Sequence, residues 1–405
     1  MTVTVTPETR VPVLTADEAL ATARTLGREL AASASLRDRD RVLPVAELDA
    51  VTASGLLAIT VPAAYGGSDL PVSVVAEVVR LLAAGDPNVA QIPHSHFAYV
   101  NALREQGTVE QQELLFGEVL AGKRFGNAQS EIGTRHVRDI RTTLTPDPTD
   151  PDGAWRLNGL KGYATGALLA DWIPVLTHRY ADGPLHVAWV ERHAPGVTVV
   201  DDWDGMGQRT TASGSVRLED VAVAPGLVMP YHLTFERPQT YGAFAQVLHA
   251  AIDAGIAREA LREAAAFVGT RSRPYPDAGV ERAADDPLVV QALGQLELQV
   301  RAAEALLREA ATAIDAANRD LTAESAGTAS LAVAAARAAT TDASLAAATR
   351  LFEVAGTRSA LGALNLDRHW RNARTHTLHD PAGWKVQHLG RWVVDGTLPP
   401  NHGQL

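Results

Sequence analysis

The feature of this sequence that most constrains its fold is an unbroken apolar seam in the C-terminal half. Apolar side chains recur there at alternating steps of four and three residues, at Val289, Leu293, Leu296, Val300, Ala303, Leu307, Ala310 and Ile314. This spacing is typical of a helix that packs lengthwise against other helices. Asp286-Pro287 stands just before the seam, and proline is well tolerated in a first helical turn. The seam therefore predicts a long helix in a helical bundle.

Two further segments have helical patterns. Residues 326–350 are rich in alanine, which predicts a second long helix whose small side chains permit close packing. Residues 14–120 place Ala, Leu, Arg and Glu at helical spacing, and Thr15 with Glu18 forms a capping box before the first apolar run. Helices are therefore expected at both ends of the chain.

Between about residues 121 and 230 the pattern changes to alternating and β-branched residues. Strand-like segments occur at 142–145, 155–157, 172–176, 186–190, 197–200 and 215–218. Asn158-Gly159 and Asp182-Gly183 have the composition of turns between such strands. Many short, closely spaced strands favour a small barrel or sandwich.

The 405 residues thus divide into three predicted domains with an α+β architecture. We expect an N-terminal helical domain at 1–122, a central β-barrel or sandwich domain at 123–232, and a C-terminal four-helix bundle at 233–405. A β domain between two helical regions creates a cleft at the junction, which is a common place for a cofactor.

Composition excludes several classes of function. The net charge of −11 makes nucleic acid an unfavourable partner, because an acidic surface repels phosphate backbones. The chain has no cysteine, which rules out thiolate catalysis, disulfides and iron–sulfur clusters. No apolar run is long enough to cross a bilayer, and residues 1–13 lack the pattern of a signal peptide. A cytoplasmic protein without a membrane partner is therefore expected.

No common phosphate-binding or hydrolase motif is present. Gly205-Met206-Gly207 lacks the third glycine of a dinucleotide fingerprint, since Thr210 stands at that position. The chain also has no P-loop, HExxH or GxSxG motif. Nucleotide hydrolysis, zinc proteolysis and α/β-hydrolase chemistry therefore have no support.

Polar segments lie at the edges of the predicted β domain and in the C-terminal bundle, at residues 126–131, 158–167, 203–214 and 374–380. This arrangement resembles the acyl-CoA dehydrogenase superfamily over about residues 18–395. The marks of the resemblance are residues 61–67, Ser130-Glu131, Asn158-Gly159 with Lys161, and Arg209 with the hydroxyls that follow it. The resemblance implies a helical–β–helical fold, a non-covalently bound flavin and a homotetramer.

The chain resembles one branch of that superfamily more closely, the dibenzothiophene monooxygenase-like enzymes and related bacterial sulfur-acquisition oxidoreductases. The residues that carry this resemblance lie at 91–97, 124–128, 201–203, 208–215 and 368–381. The branch implies reduced FMN supplied by a separate NAD(P)H-dependent flavin reductase, with FAD as the less favoured cofactor. It also implies a flavin C4a-(hydro)peroxide that transfers one oxygen atom to a small molecule.

By this resemblance His379, with His376 beside it, is the group that donates or relays a proton near the flavin. Imidazole suits that role near neutral pH, and two residues three apart on a helix share a face. Asn127 and Thr165 match positions at the flavin and complete the predicted catalytic set. Two different interpretations stay open, since the histidines can simply brace the bundle or can bind zinc. No third ligand lies nearby in the sequence, so no metal is predicted.

The resemblance implies further positions for the cofactor and the substrate. Trp203 matches a ring near the isoalloxazine and the substrate, and Ser213 matches a contact of the flavin phosphate or ribityl chain. Tyr163 and His96 match the substrate pocket, with His94 as the competitor of His96. Each of these residues can also serve packing alone. The candidates for the flavin phosphate are Arg358 from a neighbouring subunit, Arg271 and Arg273, and surface ion pairs are their alternative role.

The main competing function is that of an FAD-containing acyl-CoA dehydrogenase, which needs a carboxylate base to remove a proton. In the commonest subgroup that base is a glutamate before a glycine, whereas this chain has Asp380-Pro381. The shorter side chain and the proline misplace Asp380 for that step, so it is expected to orient a histidine or cap a helix. The sequence is also compatible with a flavin-dependent N-oxygenase of an amine and with a catalytically silent binding protein.

The sequence therefore predicts an FMNH2-dependent two-component monooxygenase that acts in sulfur acquisition on a small organosulfur compound: a sulfide, sulfoxide, sulfone or thiophene. Its expected partners are that substrate, oxygen, a flavin reductase and further copies of the chain.

Overall fold

The computed structural model describes residues 10–150 and 153–404, so the prediction about a signal peptide falls largely outside the described residues. The N-terminal region folds into helices α1 (Ala16–Asp40), α2 (Val45–Ala53), α3 (Val72–Gly85), α4 (Pro87–Gln91), α5 (His94–Gln106) and α6 (Val109–Leu120). Helix α1 begins at the predicted capping box. The backbone N–H of Thr15 donates to the Glu18 carboxylate over 2.8 Å, and that of Glu18 donates to the Thr15 hydroxyl over 3.4 Å.

The middle of the described chain forms one sheet of seven strands in the order β5-β6-β2-β1-β3-β4-β7. The strands are β1 (Thr143–Pro146), β2 (Trp155–Lys161), β3 (Trp172–Arg179), β4 (Leu185–Glu191), β5 (Val197–Val200), β6 (Ser215–Val223) and β7 (Val228–Met229). The six predicted strand segments are confirmed, and the two-residue β7 was not predicted. Strands β1 and β3 pair in parallel, whereas the remaining pairs of these strands are antiparallel.

One predicted turn is wrong. Asn158-Gly159 lies inside β2, where the pairing with β6 shifts register between Leu157 and Gly159. Asn and Gly suit a β-bulge for the same reason that they suit a tight turn, since both tolerate unusual backbone conformations. The turn predicted at Asp182-Gly183, between β3 and β4, is confirmed.

The C-terminal region contains helices α7 (Tyr241–Thr270), α8 (Pro287–Arg319), α9 (Ala323–Ala355), α10 (Asp367–His376) and α11 (Ala382–Asp395). Helix α8 begins at the predicted position, where the Asp286 carboxylate accepts a hydrogen bond from the backbone N–H of Leu288 over 2.9 Å. The seam residues from Leu296 to Ile314 are buried, and Val289 and Leu293 are partly buried. Helix α9 contains the whole of the alanine-rich segment.

Helices from both ends of the chain share one apolar core. Helix α3 packs against α1, α7 and α8, and α7 packs against α8 and α9. The sheet packs on α5 and α6 through Trp172 and Trp189. The predicted α+β fold class is therefore confirmed, and it brings the sheet next to the helices that carry the predicted site. Within the described ranges, no helix combines the length and the apolar character that a membrane span requires.

Candidate active site

The sheet meets the helices through the loops that follow β2 and precede β6. The backbone N–H of Gln208 donates to Oδ1 of Asn372, on α10, over 2.7 Å. Gly166 has a φ of 75°, and a side chain built there would lie only 3.2 Å from Ile92, just before α5. The loop after β2 approaches the start of α5 this closely because residue 166 is a glycine. These contacts bring the polar segments of the sheet and of the bundle together.

Three buried hydroxyl groups at this junction, those of Thr165, Thr211 and Ser213, form what we call the hydroxyl cluster. The hydroxyl oxygen of Ser213 lies 2.8 Å from that of Thr165 and 2.7 Å from that of Thr211. The Thr211 hydroxyl also donates to the backbone carbonyl of Gln208 over 2.9 Å. A hydroxyl can both donate and accept, so the cluster can rearrange its hydrogen bonds toward a polar ligand. Two predicted cofactor positions, Thr165 and Ser213, are thus brought together.

An aromatic pair belongs to the same region. The rings of Tyr163 and Trp203 meet edge to face with centroids 6.0 Å apart, and Nε1 of Trp203 donates to the carbonyl of Gln208 over 2.7 Å. The side-chain amide of Asn127 donates to the carbonyl of Tyr163 over 3.5 Å. Tyr163 is 54% exposed and has a φ of 53°, a left-handed conformation that is costly for a tyrosine and is common at binding sites. Three more predicted positions therefore border one partly open surface.

Four histidines, His94, His249, His376 and His379, form what we call the histidine cluster. The ring of His249 stacks on that of His94 and lies tilted against that of His379, with both centroid distances at 3.9 Å. Nδ1 of His249 lies 3.1 Å from Nε2 of His376, and Nδ1 of His376 lies 2.6 Å from Oδ1 of Asp253. His379 has a 51% exposed side chain, whereas the remaining three rings are buried. His379 is therefore the one member of the histidine cluster that solvent or a ligand can reach.

Buried charges lie behind the histidine cluster. The guanidinium of Arg337, on α9, lies 2.6 Å from Oδ2 of Asp253 and 3.0 Å from Oδ1 of Asp380. Nζ of Lys385 lies 2.8 Å from Oδ2 of Asp380. Burial alone would raise the pKa of Asp380, but His379, Arg337 and Lys385 together hold that pKa well below its usual range. Asp380 is therefore an ionised carboxylate that two cations hold in place.

Two models of one protein family match this chain. The acyl-CoA dehydrogenase N-terminal domain matches residues 16–123, and the acyl-CoA dehydrogenase C-terminal domain matches residues 247–382. The chain belongs to the acyl-CoA dehydrogenase family. The N-terminal match contains His94 and the C-terminal match contains the rest of the histidine cluster, so both matched domains contribute to this site.

Three similar proteins indicate one branch of the acyl-CoA dehydrogenase family. The chain is 34% identical to the dibenzothiophene monooxygenase of Rhodococcus qingshengii over 400 residues, which cover 95% of this chain and 94% of the relative. It is 32% identical to the probable FMNH2-dependent monooxygenase SfnC of Pseudomonas putida, with 94% and 96% covered. The FMN-bound structure of TdsC from Paenibacillus sp. A11-2 matches with a TM-score of 0.90 and 32% identity, with 96% and 100% covered. These matches confirm the predicted branch and the predicted enzyme class, a monooxygenase among the oxidoreductases.

The relation between the two predicted histidines differs from the expectation. His376 is the last residue of α10, and His379 lies in the turn beyond it, so the prediction that they share a helical face is wrong. They meet instead through His249, which bonds one and stacks on the other. Among the described residues, no group of three or more His, Asp or Glu side chains is arranged to hold a metal ion.

The two candidate pocket histidines have different surroundings. Nε2 of His96 lies 2.9 Å from the carbonyl of Leu57, and its Nδ1 accepts from the backbone N–H of Phe125 over 3.1 Å. Burial lowers the pKa of His96 to about 4. Because both ring nitrogens are bonded to backbone, His96 braces the contact between helix and sheet. His94, its competitor, is the residue that joins the histidine cluster.

The predicted phosphate-binding arginines lie elsewhere. Arg358 donates to the backbone carbonyl of Arg271 over 3.1 Å, and Arg273 is exposed in the segment that follows α7. Arg271 caps the C-terminal end of α7, which places it about 33 Å along the helix from His249. Within one chain these arginines are therefore remote from the histidine cluster.

Three buried polar residues that helices α7 and α9 bring to the site were not predicted from the sequence: His249, Asp253 and Arg337. His249 and Asp253 are one helical turn apart on α7, in a stretch that is otherwise largely apolar and fully buried. Arg337 is likewise a buried charged residue within the alanine-rich helix α9. A charged or polar residue on the buried face of an apolar helix needs a partner, and that is the signal that could have identified all three.

The buried histidines should make the fold sensitive to acid. Burial lowers the pKa of His94 to about 3, whereas a histidine in the unfolded chain binds a proton near pH 6.5. The unfolded chain therefore binds more protons as the pH falls below about 6.5, and the folded state loses stability. We expect His94 alone to lower the free energy of unfolding by about 1.4 kcal/mol per pH unit between roughly pH 6 and pH 4.

Urea unfolding at a series of pH values measures this slope. His94→Gln is the matched variant, because the amide can keep the hydrogen bond that Nε2 of His94 makes to the carbonyl of Ala245 over 2.8 Å. Its slope should be lower than that of the wild type by about 1.4 kcal/mol per pH unit. Equal slopes would show that His94 does not set the acid sensitivity.

The residues at the junction fit a flavin. Both polar side-chain atoms of Gln208 and the hydroxyl of Thr210 are buried without a hydrogen-bond partner in the described part of the chain. An unpaired buried polar group costs about 1–3 kcal/mol, which a polar ligand can remove. A flavin carries carbonyl and N–H groups along one edge of an aromatic ring system and hydroxyls along its ribityl chain. The hydroxyl cluster, the unpaired Gln208 and Thr210 groups and the aromatic pair offer matching partners.

Proposed function

We propose that this chain is an FMNH2-dependent, two-component monooxygenase that transfers one oxygen atom to a small sulfide, sulfoxide, sulfone or thiophene in sulfur acquisition. The observation that carries the proposal is the position of His379, which is half exposed to solvent while its ring contacts the buried ring of His249. An imidazole so placed can exchange a proton with solvent and still face a bound ligand. The activities of the dibenzothiophene monooxygenase and SfnC relatives support this chemistry.

The cofactor of the proposal is FMN, and the FMN-bound structure of TdsC supports FMN over FAD. Reduced FMN supplies, when bound, the electrons that activate oxygen. Thr165 and Ser213 would hold it through their hydroxyls, Asn127 would donate from its side-chain amide, and Trp203 would cover part of the ring.

His379 would hold the proton that oxygen transfer consumes. Its Nδ1 lies 3.6 Å from Oδ1 of Asp380, so the carboxylate favours a proton on that nitrogen and orients the ring. When the ring is protonated on both nitrogens, Nε2 faces away from Asp380 and would donate its proton to the ligand. The buried rings of His94, His249 and His376 exclude water from behind this position.

The same geometry argues against dehydrogenase chemistry. Asp380 is the carboxylate nearest to the dehydrogenase base in the sequence, but Arg337 and Lys385 each hold one of its oxygens. Its pKa is held well below the usual range, and a carboxylate of that kind is a weak base. Removal of a substrate proton by Asp380 is therefore disfavoured both by position and by basicity.

The proposal includes a homotetramer, a separate NAD(P)H-dependent flavin reductase and a cytoplasmic location. Helix α11 leaves large apolar side chains exposed, among them Trp384, Trp392 and Val393, and such groups mark a surface that another chain covers. Arg358 and Arg271 are remote from the histidine cluster of their own chain. We propose that these arginines, with Arg273 as a further candidate, bind the flavin phosphate of a neighbouring subunit.

The test supplies the purified chain with FMN, NADH, a flavin reductase, labelled oxygen and a panel of sulfides, sulfoxides, sulfones and thiophenes. Catalase is added, because hydrogen peroxide from free reduced flavin oxidises sulfides without an enzyme. We expect a product that carries one labelled oxygen atom and that is absent when the chain is omitted. An oxygenated amine in a parallel panel would favour the N-oxygenase. Absence of every oxygenated product, together with electron transfer from an acyl-CoA to an artificial acceptor, would favour the dehydrogenase.

The hydroxyl cluster gives a binding prediction. Thr165→Val removes a hydroxyl but keeps the shape of the side chain, and we expect FMN affinity to fall about five- to tenfold, the effect of one hydrogen bond. Thr165→Ser keeps the hydroxyl and should bind FMN within about twofold of the wild type. Fluorescence titration with oxidised FMN measures both. Equal losses in the two variants would mean that the methyl group, and not the hydroxyl, matters at this position.

A further inference from the structure

His249 occupies the centre of the histidine cluster and is 1% exposed. Its ring stacks on that of His94 with 28° between the ring planes, and it contacts the ring of His379 at 38°. His379 has its outer side exposed to solvent. The position of the His249 ring therefore limits where the ring of His379 can lie.

A chain of hydrogen bonds fixes the edge of the His249 ring. The Asp253 carboxylate is an acceptor, so Nδ1 of His376 donates to it over 2.6 Å. In a neutral His376 the remaining nitrogen, Nε2, is an acceptor, and Nδ1 of His249 donates to it over 3.1 Å. Oε1 of Gln91 also lies 3.2 Å from that Nε2, and exchanging the oxygen and nitrogen of this amide would turn its NH2 group toward the same acceptor. The donors thus point in one direction, from His249 toward Asp253.

The second nitrogen of His249 agrees with this arrangement. Nε2 of His249 is buried without a hydrogen-bond partner within the described ranges, as suits a bare lone pair better than an N–H group. Burial, with added repulsion from His379, His94, His376 and Arg337, holds the pKa of His249 well below its ordinary value. His249 is therefore a neutral ring protonated on Nδ1.

We infer that His249 is a positioning residue through which Asp253 and His376 hold the ring of His379 in the orientation that oxygen transfer requires. The inference rests on the proposed function for the reaction itself. What it adds to the proposed function is that position 249 needs both a flat ring and a hydrogen-bond donor at Nδ1. The charged groups around this assembly are Asp253, Arg337, Asp380 and Lys385, and the charge balance stays the same when neutral His249 is replaced by a neutral residue.

Two variants separate the ring from the donor. His249→Phe keeps a flat ring that can stack but cannot donate to His376, and His249→Asn keeps a donor but loses the stacking ring. Because small displacements of a reacting group cost at least tenfold in rate, we expect the ratio of hydrogen peroxide to oxygenated product to rise about tenfold or more in each. FMN affinity and thermal unfolding should show that both variants remain folded and able to bind the cofactor.

The control is a second histidine pair outside the site. His186, on β4, has its ring 5.3 Å from that of His232 and bonds the carbonyl of Pro184 through Nδ1. His186→Phe should leave the product ratio unchanged. A merely structural effect of replacing a buried histidine would appear in this variant as well.

A readout without flavin or substrate tests the same inference. Nitrogen NMR of histidine-labelled protein reports which ring nitrogen carries the proton. We expect His249 to be protonated on Nδ1, and we expect His249→Phe to move the ring-nitrogen signals of both His376 and His379. His186→Phe should move neither.

The outcomes distinguish the two proposals. If the wild type oxygenates nothing, the proposed function fails, and the NMR measurement still decides whether His249 organises His376 and His379. If the wild type makes product and His249→Phe or His249→Asn has the same ratio of hydrogen peroxide to product as the wild type, the positioning role is overturned. A proton on Nε2 of His249, or unchanged His379 signals in His249→Phe, overturns it as well.

Discussion

His379→Ala should lower the yield of oxygenated product by about 100-fold or more while oxygen consumption continues and FMN affinity stays within about twofold. A positioned proton donor contributes on the order of 100- to 10,000-fold to a rate, and the alanine variant has no group to replace it. Reduced FMN would still reach oxygen. The lost product should therefore appear as hydrogen peroxide.

The structure explains why the fold should survive this substitution. The side chain of His379 is half exposed, and its contacts include the stacking on His249 and the approach to Asp380 at 3.6 Å. Asp380 keeps its two ion pairs, to Arg337 and Lys385, when His379 is removed. Because the buried charge of Asp380 stays compensated, a large loss of stability is not expected.

The measurement compares product, hydrogen peroxide and oxygen consumed in the reductase-coupled reaction run without catalase. His388→Ala is the control, because His388 is another C-terminal histidine whose ring neighbour is Trp384 of α11 and not the histidine cluster. We expect that control to form the same amount of product per oxygen consumed as the wild type. If His379→Ala forms as much product per oxygen consumed as the wild type, His379 has no part in the mechanism.

The parts of the fold that could be predicted depend on local chemistry. The capping box at Thr15 and Glu18, the start of α8 at Asp286-Pro287 and the alternation of the six strand segments each follow from a few neighbouring residues. Local signals also caused the errors. Asn158-Gly159 suits a turn and a bulge equally, and only the pairing with β6 decides between them.

The end of α10 differs from the prediction for a physical reason. Helical spacing predicts His376 and His379 on one face, but the helix ends at His376. Pro381 follows soon after, and a proline within a helix clashes with the carbonyl four residues before it, which here belongs to Thr377. A helix that continued through His379 toward Pro381 would meet that clash. The turn after α10 instead places the ring of His379 on His249 of α7.

The remainder of the site could not be predicted because its partners are far apart in the chain. His249 and His376 are separated by 127 residues, and Arg337 and Asp253 by 84. The packing of α7 against α9 and α10 creates these pairs, and no spacing rule within one helix reveals them. Resemblance to a family predicted Asn127, Thr165, Trp203 and Ser213 as site positions, whereas His249, Asp253 and Arg337 needed the three-dimensional structure.

Arg337→Met is expected to lower the free energy of unfolding by about 3–5 kcal/mol, the usual cost of removing one partner of a buried ion pair. Arg337 is 1% exposed and holds two carboxylates, but these differ in what remains after the substitution. Asp380 keeps Lys385 at 2.8 Å. Asp253, fully buried, keeps His376 and a long contact of 3.4 Å with the hydroxyl of Thr341. The uncompensated charge on Asp253 is therefore the source of the loss.

Chemical denaturation of four variants, which are Arg337→Met, Arg301→Met, Asp253→Asn and the double variant, tests this origin. Arg301→Met removes an exposed pair with Glu297 on one helix and should cost less than about 0.5 kcal/mol. Adding Asp253→Asn to Arg337→Met removes the buried charge, so the double variant should be more stable than Arg337→Met by about 1 kcal/mol or more. If the double variant is instead less stable by the sum of both single effects, Arg337 stabilises the fold by packing and hydrogen bonding. Its charge would then play no part in holding Asp253, and through Asp253 the histidine cluster, in place.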